Sequence, residues 1–304
     1  PHSQILSGLV GSEMCIRDRK ISKLNENIGA EVSDVNLNQE IDRDTKERLN
    51  RALTNSIVLV IRDQEFKPAE YLAAVSVFGE PMNQHFTQYQ LKETPLVNYV
   101  SNRDAYRGGT QPVVRGAGWH TDHTNHERPP KCTALYAVVL PDEGGDTGVV
   151  NMRAGYAALP DDMKRRINNL QTLNVIEGSA SPRPTSKLPK EGKGKHDRGM
   201  LQPLVRTHPE SGENALYFHP IKTEHIVGIS PEESQILLQE LLKLTVKDEF
   251  IYRHQWRAGD MLIWDNRCAL HQAYQDYDLS QERVLHRIIL KGERPFGPSM
   301  PRVA

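Results

Sequence analysis

A histidine and an aspartate stand two residues apart in Gly118-Trp119-His120-Thr121-Asp122-His123, and this pair constrains the fold more than any other stretch of the chain. In extended backbone, residues two apart point to one face, so an imidazole nitrogen and a carboxylate oxygen would converge on one spot. Two such groups supply two thirds of the 2-His-1-carboxylate triad that holds Fe(II) and leaves coordination positions open. H-x-D pairs arise by chance, but this one is unique in the chain. The sole H-x-E, His208-Pro209-Glu210, runs into Ser211 and Gly212 and reads as a hairpin turn. The candidate third ligand is His271, 149 positions beyond Asp122. Only tertiary folding can bring it to the other two.

The segments around these ligands read as short strands among a few helices. Asp44–Asn55 carries Leu49, Ala52 and Leu53 on one helical face, and Ser56–Ile61 follows as a buried strand. Pro68 and Gly79 bracket a second helix. Strand patterns recur at 96–100, 133–140, 148–152, 204–207, 215–218, 250–256, 261–264 and 284–291. A short helical region is expected at 153–169, and Ser230-Pro231-Glu232-Glu233 is a capping box opening a leucine-striped helix. The pattern predicts a mainly β protein with flanking helices, its core a closed or double-sheet β structure.

Of 304 residues, 38 are basic and 39 acidic, a net charge of −1 that argues against broad binding to nucleic acid or to a membrane surface. No apolar run approaches the roughly 18 residues a membrane span needs. Cys15, Cys132 and Cys268 are few, odd in number and far apart, which speaks against disulfides or a thiolate metal site and for a cytoplasmic setting. Residues 1–19 share no pattern with the rest and read as a foreign or disordered extension to a single domain over 20–304. The 179–199 stretch, rich in proline, glycine and lysine, reads as a surface loop or as a lid that orders over an anion.

Beyond His271, Arg283 and Arg287 lie four apart in a strand-like, largely apolar segment, so they share a face. Two guanidiniums on one face of such a strand are costly to bury without anions, and arginine suits bidentate recognition of carboxylate or sulfonate; the other reading is a pair of surface arginines on an edge strand.

Five ordered pieces resemble the taurine dioxygenase (TauD/TfdA) family of Fe(II)- and 2-oxoglutarate-dependent oxygenases. They are Trp119-His120-Thr121-Asp122, Gly144-Gly145-Asp146-Thr147, Arg206-Thr207-His208-Pro209, Ile263–Arg267 with His271, and the Arg283/His286/Arg287 strand. The resemblance implies a double-stranded β-helix (jelly-roll, cupin-like) core with Fe(II) on His120, Asp122 and His271. It implies 2-oxoglutarate as cosubstrate, its distal carboxylate clamped by Thr147 and Arg283, and O2 as oxidant. Arg287 would face an anionic group of the primary substrate, with Tyr217 where the family places an aromatic in the pocket wall. After Phe78-Gly79 the chain offers Gln84, His85 and Gln88 without a clean match, and His85 is taken as the candidate for the other side of the pocket. Taurine-hydroxylating members carry an asparagine four residues before the metal histidine, where this chain has Gly116. That departure argues against taurine and leaves a small sulfonate, sulfate ester or carboxylate, hydroxylated with or without loss of a leaving group.

His123 is expected to point away from the metal, and Trp119 and Trp264 to pack in the core. Two other classes of function compete with an oxygenase: a cupin-like metal hydrolase, which has no need of an Arg283/Thr147 clamp, and a non-catalytic small-molecule-binding protein. A homo-oligomer is left open.

Overall fold

Every side chain of Val58–Ile61 is buried, because both faces of that strand are covered. Val58 and Val60 point into one apolar cluster with Leu135, Val149, Leu262, Trp264 and Leu285. Leu59 and Ile61 point into a second, with Leu49, Leu53, Tyr71, Val75, Met261 and Ile263. Period-two sorting of this kind marks a sheet packed on both sides.

The computed structural model describes residues 20–84, 87–103, 116–176 and 199–300. The expected extension at 1–19, His85 and nearly all of the 179–199 loop lie outside the described residues. The elements in order are β1 (Ile21–Lys23), β2 (Ala30–Val32), α1 (Arg43–Ser56), β3 (Val58–Ile61), α2 (Pro68–Val75), β4 (Pro81–Met82), β5 (Asn98–Ser101), β6 (Cys132–Val139) and β7 (Thr147–Asn151). There follow α3 (Met152–Ala157), α4 (Asp161–Ile167), β8 (Gln171–Asn174), β9 (Met200–Pro203), β10 (Val205–Thr207), β11 (Asn214–Leu216), β12 (Thr223–Ile226) and α5 (Pro231–Thr245). The last four strands are β13 (Ile251–His254), β14 (Met261–Asp265), β15 (Ala269–Ala273) and β16 (Val284–Leu290).

The large sheet runs β1-β2-β3-β14-β6-β16-β4, with β5 also paired to β16. One of its faces is covered by α1 and α2 through the second cluster; the other packs on the small sheet β13-β7-β15 through the first. Two facing sheets with helices outside form the jelly-roll expected above, and the space between the sheets is where inward polar groups can meet. Among the described residues no helix is long and apolar enough to cross a membrane.

The helix signals were accurate to within a residue at their starts. Asp42 caps α1, its carboxylate accepting from Thr45 N at 2.8 Å, and Ser230 Oγ caps α5 by accepting from Glu233 N at 3.2 Å. The 153–169 region divides into α3 and α4, with Pro160 as N-cap of the second, since proline removes a donor and cannot continue the first helix. His271 follows β14 and lies inside the next strand, β15.

Candidate active site

His120 and His271 are cross-strand neighbours. His120 N donates to His271 O at 2.9 Å and His271 N to His120 O at 2.7 Å, the reciprocal exchange of an antiparallel hydrogen-bonded pair. On its other side His271 pairs with Val149 of β7. The two imidazoles therefore leave the edge of the small sheet side by side, ring centroids 4.1 Å apart. His120 Nδ1–H donates to Gly118 O at 2.9 Å, which leaves Nε2 as the free lone pair.

The chain does not continue as a strand. Thr121 ends the bridge, and the backbone turns through Asp122–Asn125 with His123 at φ 49°. The convergence of His120 and Asp122 thus comes from a bridge followed by a turn, not from strand alternation. The turn carries Asp122 across to the large sheet. Its Oδ2 accepts from Thr133 Oγ1 of β6 at 2.5 Å, and its Oδ1 lies 2.7 Å from Arg287 Nη2 of β16. One donor atom from each of His120, Asp122 and His271 falls within 4.8 Å of the others. Two neutral imidazoles and a carboxylate, one imidazole already fixed by a backbone carbonyl, fit a divalent first-row metal.

The protonation states suit that donor set. Burial lowers His271 well below the ordinary histidine range, with neighbouring His120 acting the same way and Asp122 opposing. Burial likewise lowers His120, again against Asp122. For Asp122 burial pulls upward, but Arg287 and the surrounding histidines outweigh it and hold the carboxyl well below its usual range. The three candidate ligands are poised neutral, neutral and anionic.

A few residues along β7 lies the second expected group. Arg283 is buried; its Nε donates to Gly145 O at 2.7 Å and its Nη2 lies 3.4 Å from Thr147 Oγ1. Gly144 and Gly145 sit at φ 72° and 69°, and a Cβ on Gly145 would stand 3.0 Å from Arg283 Cδ. The double glycine is thus required both by the turn and by the close approach of the arginine. Trp256 Nε1 also donates to Thr147 Oγ1, at 3.1 Å, so the Thr147 hydroxyl, already accepting, has its own hydrogen to give to an anion. Burial pushes Arg283 below its ordinary value, and among the described residues no carboxylate forms an ion pair with it. A buried cation held by one carbonyl and one hydroxyl is short of a counter-ion.

Arg287 of β16 lies four residues beyond Arg283, which immediately precedes that strand, but it already has a carboxylate beside it in Asp122, and its Nη1 donates to Gln84 at 3.1 Å. Tyr217 is buried against the Arg206 guanidinium, 4.8 Å from its ring centroid, and burial pushes its phenol up to about 12. His123 stacks near His126 rather than joining the triad. Trp264 is buried in the first cluster, as expected of a packing residue, though its ring also lies 4.5 Å from His271. Residues that sequence reasoning missed include Trp256, Thr133 and His219, whose ring is 5.7 Å from His120. Nothing local marks them; each reaches the site from a different strand or turn.

A second group of metal-ligand types, His208, Asp265 and Cys268, is equally compact. It is an ion-pair network instead. Arg267 takes both Asp265 oxygens, at 2.8 and 2.6 Å, and burial raises the Cys268 thiol to about 12, which keeps it protonated. Glu210, at the hairpin turn, closes the network on Arg267 Nη2 at 2.8 Å. Burial would raise Glu210, but Arg267 and Lys131 prevail and hold it at about 2 against an ordinary 4.5. A depressed carboxyl stabilises the fold above its ordinary pKa and loses that contribution as pH falls toward its folded one. Glu210→Gln should therefore lower Tm modestly at pH 7, the carboxylate being half-exposed. The gap from wild type should narrow as pH drops below about 4.5. A gap independent of pH would show that the pairing is not electrostatic.

The model of the taurine catabolism dioxygenase TauD, TfdA family matches residues 20–289. The chain is 31% identical over 268 residues to the alpha-ketoglutarate-dependent 2,4-dichlorophenoxyacetate dioxygenase of Cupriavidus pinatubonensis, covering 85% of this chain and 92% of that one. It is 34% identical over 281 residues to the alpha-ketoglutarate-dependent sulfate ester dioxygenase of Pseudomonas putida, covering 89% and 88%. Among solved structures, a taurine dioxygenase from Burkholderia xenovorans superposes with a TM-score of 0.79 at 30% identity, covering 93% and 92%.

Proposed function

The chain belongs to the taurine catabolism dioxygenase TauD, TfdA family and is an Fe(II)-, 2-oxoglutarate- and O2-dependent dioxygenase; we propose that His120, Asp122 and His271 hold its iron and that Arg283 with Thr147 holds the distal carboxylate of 2-oxoglutarate. The observation that carries this reading is the meeting of a neutral-neutral-anionic donor set and an under-compensated buried arginine between the same two sheets. When bound, the iron supplies the oxidising chemistry: oxidative decarboxylation of 2-oxoglutarate to succinate and carbon dioxide, coupled to hydroxylation of an unactivated C–H.

The protein's share is placement. The Arg283 fork is anchored at Nε by Gly145 and so presents its remaining N–H groups in a fixed plane, which suits a bidentate carboxylate. Asp122, His271, Thr147 and Arg283 are buried, and low-dielectric surroundings strengthen each of these contacts. The metal-hydrolase and binding-protein alternatives lose their footing with family membership and an intact donor set.

The primary substrate is proposed to be a small organic anion, a sulfate ester, sulfonate or carboxylate, with its acidic group on Arg287 and Tyr217 on the pocket wall. The two relatives named act on a phenoxyacetate and on sulfate esters, both anionic. Taurine fits poorly for a physical reason as well: Gly116 sits at φ 81°, and a Cβ there would lie 3.3 Å from His120 Cε1, so an asparagine would be strained and would crowd a ligand. His85 stays part of the proposal as a pocket residue, and 179–199 as a lid. A reducing cytoplasm is the proposed setting, in keeping with buried free Cys132 and Cys268.

The test is succinate formation from 2-oxoglutarate under air with Fe(II), screened for stimulation by a panel of sulfate esters, sulfonates and carboxylates. Arg287→Ala, assayed at saturating metal, should raise KM for the stimulating anion and leave 2-oxoglutarate affinity nearly unchanged. Arg287→Lys should restore only part, because a point charge cannot reproduce the fork. Best stimulation by a neutral compound, or loss of 2-oxoglutarate binding alone, would remove Arg287 from this role.

A further inference from the structure

A chain of buried side chains ends on the carboxylate of Asp122, and its direction is set at the far end. Trp264 Nε1–H can only donate, and it donates to Asn266 Oδ1 at 3.0 Å. That contact decides which way the Asn266 amide faces, an orientation that heavy-atom positions alone rarely settle. The Asn266 Nδ2 therefore faces Thr133 and donates to its Oγ1 at 2.8 Å. Thr133 Oγ1, now an acceptor for the amide, has one hydrogen of its own, and Asp122 Oδ2 lies 2.5 Å away to take it. Trp264, Asn266 and Thr133 are all at most 1% exposed, so water does not compete for any of these groups. Thr121 Oγ1, between the first two ligands, donates to Asn266 O at 3.0 Å and ties the ligand turn to the same residue.

We propose that Thr133 is a positioning residue for the metal centre: fed by Trp264 and Asn266 through this one-way chain, it fixes the orientation of the Asp122 carboxylate and thereby raises the affinity of the site for a divalent cation. The inference rests on the reading of Asp122 as a metal ligand. A free carboxylate on a turn could rotate about its last bond. With a donor of fixed polarity on Oδ2 and Arg287 beside Oδ1, one rotamer is selected before metal arrives. Outer partners of this kind tune metal affinity by roughly 10–100-fold. Thr133 and Trp264 belong to neighbouring strands β6 and β14, paired to each other in register, so the positioning is built on the rigid sheet rather than on a loop.

The experiment titrates metal-stripped full-length protein with Mn(II) by calorimetry. Thr133→Val removes the hydroxyl at nearly constant volume and should weaken Mn(II) binding by roughly 10–100-fold. Thr133→Ser, which keeps the donor, should restore affinity to near wild type. Trp264→Phe keeps an aromatic ring against His271 but frees the Asn266 amide, and should show a smaller loss; it also serves if the valine variant does not fold. Asp122→Ala is the control. If it binds Mn(II) like wild type, the ligand reading itself is wrong. If it loses binding while Thr133→Val does not, only the positioning inference fails. A serine variant as weak as the valine one, or a metal-free Tm for Thr133→Val that falls while affinity holds, would likewise overturn it.

Discussion

Asp122→Ala is expected to leave a folded protein that no longer turns over 2-oxoglutarate with added iron. Asp122 supplies the only negative charge in a donor set whose other two members are neutral imidazoles, so its removal takes away both a ligand and the charge that attracts a divalent cation. It also leaves the Arg287 guanidinium, 2.7 Å from Oδ1, without its partner beside two histidines. A neighbouring positive charge in a partly buried site repels metal and lowers the histidines further. Losing a direct ligand should cost more than the ~100-fold that outer partners cost at most, so metal affinity and metal-dependent turnover should fall together. Metal titration beside a succinate assay checks both. Turnover undiminished in this variant would end the assignment of His120, Asp122 and His271.

Arg283→Ala should have the next largest effect, and on the cosubstrate alone. Truncating one partner of a buried, hydrogen-bonded charge pair costs about 2–5 kcal/mol. At ~1.4 kcal/mol per factor of ten, that is about 30-fold to several thousand-fold in 2-oxoglutarate affinity. Arg283→Lys should recover little, because lysine has no Nε–H to anchor on Gly145 O and no planar fork to offer. Iron binding should be nearly unaffected, since Arg283 contacts Gly145, Thr147 and Asn102, not the triad. Titration with 2-oxoglutarate in the presence of Mn(II) separates the two effects. Unchanged 2-oxoglutarate affinity would refute the clamp.

Much of the fold was legible because its longer elements carry strong local signals. Ser230 announced the start of α5 by a mechanism that operates within four residues, whereas the Asp42 cap of α1 went unread and its start was placed one residue late, at Asp44. The continuous apolar run of β3 announced a strand covered on both faces. Strands β1, β2, β8, β9 and β12, three or four residues each, went unread. Gln171-Thr172-Leu173-Asn174 has too few apolar positions to show a period, and β1 is exposed throughout. Their pairing comes from neighbours distant in sequence.

The site divides along the same line. Residue type and local order named the candidate donors, the double glycine turn and the two arginines, because a metal or a carboxylate demands particular functional groups and the chain must carry them somewhere. Spacing even put Arg287 of β16 and Arg283, just before it, four residues apart on one face, since strand periodicity is a local property. The meeting of His271 with His120, the turn that sends Asp122 to the opposite sheet, the ion pair between Asp122 and Arg287, and the Trp264–Asn266–Thr133 chain have no local signature. They depend on sheet register and on how two sheets face each other. A shift of one residue would turn His271, Thr133, Trp264 and Arg287 to the opposite faces of their strands, so packing of the whole sandwich had to decide them.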